Sequence, residues 1–181
     1  MRPEDRRLFK AVSVLLRFPD QDLMDSLPSV RAALEDYSPG ARGRRCHVFI
    51  DYLETHSLMQ LQDEFSRIFD FSPETCLNMT YHRYGETRER ASALAGFIEL
   101  YRNSGYEVLG SELPDYLPLI LEFLSICDED AGLKIIREWA DQVEKLAHRL
   151  KESGSPYMIL LETLWEVFTG SEHLERQVGH G

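Results

Sequence analysis

Apolar residues recur at helical spacing through almost the whole of this chain, and no segment alternates polar and apolar side chains long enough to make a strand. Leu8, Val12, Leu15 and Leu16 mark a first helix over residues 3 to 17, which Phe18-Pro19-Asp20 ends. Asp20 is placed to cap a second helix carrying Leu23, Leu27, Val30 and Leu34. Pro28 is expected to break or restart that helix, with Leu27 before it in extended geometry. Residues 38 to 43 read as a turn. Cys46, Phe49, Ile50 and Leu53 mark a third helix, and Leu58, Leu61, Phe65, Ile68 and Phe69 a fourth, joined at His56-Ser57.

Residues 71 to 85 lose the periodicity and carry Pro73 and Gly85, yet hold Met79, Tyr81 and Tyr84; a loop so rich in apolar groups must be packed or must bind something. A helix over residues 86 to 103 then places Ala91, Leu94, Ile98 and Tyr101 on one stripe and stops at Gly105, suited to a left-handed C′ position. Between Pro114 and Pro118 a further helix begins, with Asp115 as its expected N-cap. Its apolar run from Leu117 to Leu124 is nearly continuous, which predicts a central element. Leu133, Ile136, Trp139 or Ala140, Val143, Leu146 and Leu150 make a long amphipathic helix that ends at Ser153-Gly154-Ser155-Pro156. Tyr157, Leu160, Leu161, Leu164 and Phe168 line the last one, expected to reach Gly170. The fold class is all-α, a single-domain bundle of about seven to nine helices over residues 1 to 170, with residues 171 to 181 as a flexible tail.

The 181 residues, 43% hydrophobic, suffice for one sizeable core. With 31 acidic against 20 basic residues, the formal charge of -11 disfavours nucleic acid and anionic membrane and favours basic partners. Cys46, Cys76 and Cys127 form no even set and no close pair, so they read as reduced thiols. The charged start Met1-Arg2-Pro3-Glu4-Asp5-Arg6-Arg7 does not lead a signal peptide. A twin-arginine reading of Arg6-Arg7 fails because Lys10 and Arg17 interrupt the apolar stretch that would have to follow. No apolar run is long enough to span a bilayer, and a cytoplasmic location is expected.

The sequence has no glycine-rich phosphate loop, no His-Glu-x-x-His and no Cys-x-x-Cys, which weighs against the usual enzymes. Cys46 beside His47, and Cys76 six residues before His82, are isolated pairs rather than a metal-ligand set, and no cofactor is expected. Glu112 and Asp115 at one helix start, Glu86 and Glu89 at another, and Tyr81, Tyr84 and Tyr116 nearby admit two readings. Either they form an acidic, aromatic-edged site for the arginine or lysine of a peptide, or Asp115 is a cap and the tyrosines are core edge. The residues alone favour the second. Arg88 and Arg90 are expected to pair with Glu86 or Glu89, and Trp139 and Trp165 to belong to the core.

Motifs in a fixed order shift that balance. Glu112-Leu113-Pro114-Asp115-Tyr116-Leu117-Pro118-Leu119 resembles the E-L-P-D-H-L-P-L signature of the nitrate reductase delta-subunit family, the NarJ, TorD and DmsD group of molybdoenzyme assembly chaperones, and its NarJ type above all. Leu15-Leu16-Arg17-Phe18-Pro19-Asp20, Phe65-Ser66-Arg67-Ile68-Phe69-Asp70, and His82-Arg83-Tyr84-Gly85-Glu86-Thr87-Arg88-Glu89-Arg90 resemble three further elements of that family. The resemblance implies a TorD-like helical fold and a cytoplasmic chaperone, not an enzyme. Such a chaperone holds the N-terminal peptide of a molybdenum-cofactor oxidoreductase's catalytic subunit, by the wording a respiratory nitrate reductase, and supports cofactor insertion and assembly. It implies peptide-binding positions at His82, Gly85, Glu86, Arg88, Glu112, Pro114, Asp115, Tyr116 and Pro118, to which Tyr81 and Tyr84 add contact surface. Tyr116 stands where the family commonly has histidine, removing a titratable group, and Phe65 where tyrosine is usual. Nucleotide hydrolysis and a purely structural helical adaptor are the competing functions; a monomer and a helix-exchanged dimer are both open.

Overall fold

In the computed structural model, residues 1–35 and 41–178 are described, with side chains to residue 170. The helices are α1 (Pro3–Leu15), α2 (Gln21–Glu35), α3 (Ala41–Thr55), α4 (Leu58–Phe65), a π-helical turn (Ser66–Asp70), α5 (Met79–Tyr84), α6 (Arg88–Asn103), α7 (Leu117–Ile126), α8 (Glu129–Glu152) and α9 (Met158–Val178). The all-α class expected from the periodicity is therefore the one found. Among the described residues no helix is long and apolar enough to cross a membrane.

Two helix pairs form the centre: α1 lies against α7, and α8 against α9, with α2 and α3 joining α1 to α9. The apolar run of α7 is the spine that its composition predicts, with Leu117, Ile120, Leu121, Phe123 and Leu124 all buried. Each such leucine contributes about 1.5–3 kcal/mol by leaving water. Ser13 of α1 donates its hydroxyl to the Pro118 carbonyl at 2.7 Å, which fixes the first turn of α7 from the side. Lys10 and Glu122 pair across the same two helices at the surface.

Local signals explain most of the boundaries. Asp20 accepts from the Leu23 amide at 2.7 Å and so caps α2 as expected. Ser57 opens α4 with a reciprocal capping box to Gln60. Asp128 caps α8 through the Ala131 amide at 2.8 Å. Gly105 at φ 82° and Gly154 at φ 66° terminate α6 and α8 in the left-handed region.

Several expectations fail, each for a local reason. Pro28 does not break α2, which runs unbroken from Gln21 to Glu35. Leu23, Leu27, Val30 and Leu34 bury one face, while Pro28 lies on the exposed one, where water can hydrate the carbonyl it leaves without a donor. Of the expected turn at residues 38 to 43, residues 38–40 lie outside the described residues and 41–43 begin α3. The stripe on α6 is rotated. Phe97 and Tyr101 are its buried residues, against Trp139 at 5.3 Å and Phe123 at 4.7 Å, whereas Ala91 and Ile98 face outward. The last helix continues past Gly170 to Val178.

Candidate functional site

Asp115 does not cap α7. Tyr116 is the N-cap residue, without a side-chain cap bond, and Leu117 and Pro118 are the first two helical positions. Asp115 is instead 0% exposed, and its carboxyl faces back into the loop before α5. It accepts from Asn78 Nδ2 at 3.0 Å, from the Thr80 amide at 3.0 Å and from the Thr80 hydroxyl at 2.5 Å. Thr80 Oγ1 in turn accepts from Arg90 Nε at 3.2 Å. An isolated antiparallel bridge between Asn78 and Tyr116 adds two backbone bonds, Met79 N to Asp115 O at 3.1 Å and Leu117 N to Leu77 O at 2.8 Å.

The two motifs are therefore joined, but by their interior groups. The expected loop over residues 71 to 85 contains α5, and Leu77, Met79 and Thr80 of that segment are buried. The chain Asp115–Thr80–Arg90 ties the start of α7 to α5 and to the first turn of α6. Arg90 thus bonds Thr80 and lies 5.4 Å from the Tyr81 ring centroid, a different role from the expected pairing with Glu86 or Glu89. The exposed Glu89 carboxyl is held below the usual range by its own backbone amide and by the Thr87 hydroxyl, as suits an acid at a helix start.

The remaining motif residues separate into frame and surface. Pro114 is buried and its carbonyl accepts from the Tyr101 hydroxyl at 2.8 Å; Pro118 is buried beneath Ser13. Gly85 closes α5 at φ 56°, a conformation that strains any other L-residue. Glu86, Arg88 and Glu112 are exposed, while Tyr81, Tyr84 and Tyr116 are half-buried. Burial, and then Glu112 and Asp70, push the Tyr116 phenol up, so it stays neutral. Asp70, Cys76, Asn78, Tyr81, Glu86 and Arg90 line a hollow of about 250 Å³ at this junction.

His82 belongs to the frame. Its Nε2 lies 2.7 Å from the Cys76 carbonyl and its Nδ1 3.3 Å from Arg149 Nη1, which also donates to the Glu74 carbonyl at 2.7 Å. These contacts fit one neutral tautomer, Nε2–H donating and Nδ1 accepting. Burial, with Arg149 adding to it, holds the imidazole below its ordinary value of 6.5. A lowered value in the folded state means that this contribution to stability is full above pH 6.5 and is lost as pH falls through the folded-state value. Amide exchange over residues 74 to 84 is expected to quicken on acidification below pH 6.5, and His82→Gln to flatten that dependence. Unchanged exchange across that range would refute the role.

Asn78, Thr80, Arg83 and Arg149 carry contacts that no motif announced. Their only advance sign was the apolar and aromatic content of the loop. Arg83 of α5 crosses to α8, where it bonds Gln142 at 2.9 Å and lies 4.2 Å from the Trp139 ring centroid. Among the described residues no three histidine, cysteine or carboxylate side chains gather as a metal site.

Comparison with known proteins follows the same segments. A family model described as nitrate reductase delta subunit matches residues 35–161. The chain is 32% identical over 165 residues to the Bacillus subtilis (strain 168) protein named as probable nitrate reductase molybdenum cofactor assembly chaperone NarJ, spanning 91% of this chain and 90% of that one. It is 27% identical over 161 residues to the Escherichia coli (strain K12) protein named as probable nitrate reductase molybdenum cofactor assembly chaperone NarW, spanning 89% of this chain and 68% of the other. The crystal structure of an Archaeoglobus fulgidus protein, described as a candidate redox enzyme maturation protein, superposes with a TM-score of 0.67 at 21% identity. That match covers 91% of this chain and 93% of the other, so the fold is common to both.

Proposed function

The chain belongs to the nitrate reductase delta subunit family, and from that premise we propose that it is a cytoplasmic assembly chaperone for a molybdoenzyme, a respiratory nitrate reductase by its relatives' names. Its task is to bind the N-terminal peptide of the catalytic subunit and keep that subunit competent for molybdenum cofactor insertion and complex assembly. The role is one of binding and release, without catalysis. The observation that carries this reading is the likeness, over nine-tenths of both chains, to a protein named as such a chaperone.

Within the proposal, the junction of α5, α6 and α7 meets the peptide. Tyr81, Tyr84, Glu86, Arg88, Glu112 and Tyr116 supply the surface, and His82, Gly85, Pro114, Asp115 and Pro118 hold it in place. The exposed carboxylates suit arginine or lysine of the client. Titration calorimetry with a synthetic peptide from the N-terminus of the nitrate reductase catalytic subunit of the same organism tests it. Saturable binding is expected, weakened roughly two- to fivefold by Glu86→Gln or Glu112→Gln, with a smaller salt dependence, as for charges at an interface rim. No binding by the unaltered protein refutes the function. Equal affinity for unrelated amphipathic helices would leave only an unspecific adaptor.

A further inference from the structure

Over its sixteen residues α6 buries only Phe97 and Tyr101. Beside them, between α6 and α8, lies a cleft of about 490 Å³, the size of a few side chains. Its floor is the Phe97–Trp139 pair, and Ala93, Gly96 and Leu100 of α6 face Ile135 of α8 across it. Tyr84 closes one part of the rim and so connects the cleft to the motif junction.

Gly96 is the informative residue. Inside a helix glycine costs about 1 kcal/mol relative to alanine. Packing within this chain does not call for it, because a Cβ at Gly96 would meet no atom within 4 Å. What a side chain there would occupy is the cleft itself. A glycine that no internal neighbour demands, on the wall of an apolar groove, fits the close approach of something from outside.

The charges on the cleft narrow what that is. Glu89 and Glu138 line it against the single cation Lys134, in a chain of formal charge -11. A second copy of so acidic a chain is repelled, whereas a basic segment is attracted. Two helices side by side present a groove that accepts the ridge of a third, filled by apolar side chains three or four residues apart. We propose that the α6–α8 cleft seats the apolar face of a basic amphipathic helix formed by the client's N-terminal segment, and that Gly96 sets how closely that helix approaches. This rests on the chaperone reading and moves the apolar part of recognition away from the motif residues, most of which are engaged with one another.

Gly96→Leu tests it, because the substitution fills the cleft while improving helix propensity. The expected result is a higher melting temperature together with a loss of about tenfold or more in calorimetric affinity for the same synthetic peptide. Gly96→Ala is expected to raise the melting temperature too, but to keep affinity within about twofold. Unimpaired binding by Gly96→Leu, when the unaltered protein binds, overturns the cleft and leaves the chaperone reading standing. Absence of binding by the unaltered protein overturns both. A wild-type dimer in light scattering that Gly96→Leu converts to monomer assigns the cleft to a second copy and also overturns the proposal.

Discussion

Asp115→Ala is expected to destabilise the protein by about 3–5 kcal/mol, lowering the thermal midpoint by roughly 10 °C. The carboxyl is 0% exposed and accepts three hydrogen bonds from Asn78 and Thr80. Bonds to a buried acceptor of this kind are worth more than their mean because their loss leaves donors with no water to replace it. The Thr80 amide would be left unpaired in the interior, and Thr80 would lose the partner that orients it toward Arg90. A change below about 1 kcal/mol would show that the carboxyl is not the tie between α5 and α7.

The companion variant Thr80→Val removes the hydroxyl but leaves the backbone amide bonded to Asp115, so a smaller loss of about 1–3 kcal/mol is expected. Because both residues belong to one network, the double variant should fall short of the sum of the two. This matters for function as well as folding. Loss of peptide binding in Asp115→Ala would by itself say little about contact, since the residue holds the surface on which Tyr81, Glu86 and Arg90 sit. Only the exposed carboxylates, Glu86 and Glu112, can report contact directly.

The helical period marked out elements whose tertiary partners agree with their own stripe. On α8 every expected position, Leu133 through Leu150, is buried, and on α7 the apolar run is the spine. It failed where the evidence was thin or where a neighbour decided. On α6 the partners Trp139 and Phe123 choose the Phe97–Tyr101 face, although Ala91 and Ile98 share an equally regular spacing. At Pro28 a local rule yields to the burial of four residues on the opposite face.

The candidate site was legible in its members and not in their roles. Proline, aspartate and a following helix suit a cap, and sequence contains no sign that Asn78 and Thr80, more than thirty residues earlier, outbid the α7 amides for that carboxyl. The same holds for His82, whose partners Cys76 and Arg149 lie on a loop and a distant helix. The α6–α8 cleft left one sequence trace, a glycine within a helix, whose meaning appears only when the space beside it is known to be empty.

Tyr157→Ala is expected to cost about 3–5 kcal/mol, comparable with Asp115→Ala but acting on the opposite side of the fold. Tyr157 is 1% exposed immediately before α9, and its ring meets Phe49 of α3 at 4.9 Å, Phe69 of the π-helical turn at 4.9 Å and Phe65 of α4 at 5.9 Å. Three elements therefore lose a shared neighbour at once, and the ring-sized cavity is walled by aromatic groups too rigid to collapse into it. Phe65 also touches Phe18 at 5.5 Å, so its ring does the packing expected of the tyrosine usual in the family while lacking the hydroxyl. Burial pushes the Tyr157 phenol up, which keeps it neutral, so Tyr157→Phe preserves both shape and charge and should cost no more than about 1.5 kcal/mol. Chemical denaturation of both variants separates ring from hydroxyl: equal losses would place the stabilisation in a hydrogen bond and refute the packing account. Because Tyr157 lies far in sequence from Asp115 and shares no partner with it, the two alanine variants should add within about 0.5 kcal/mol, as independent fasteners of one helical domain.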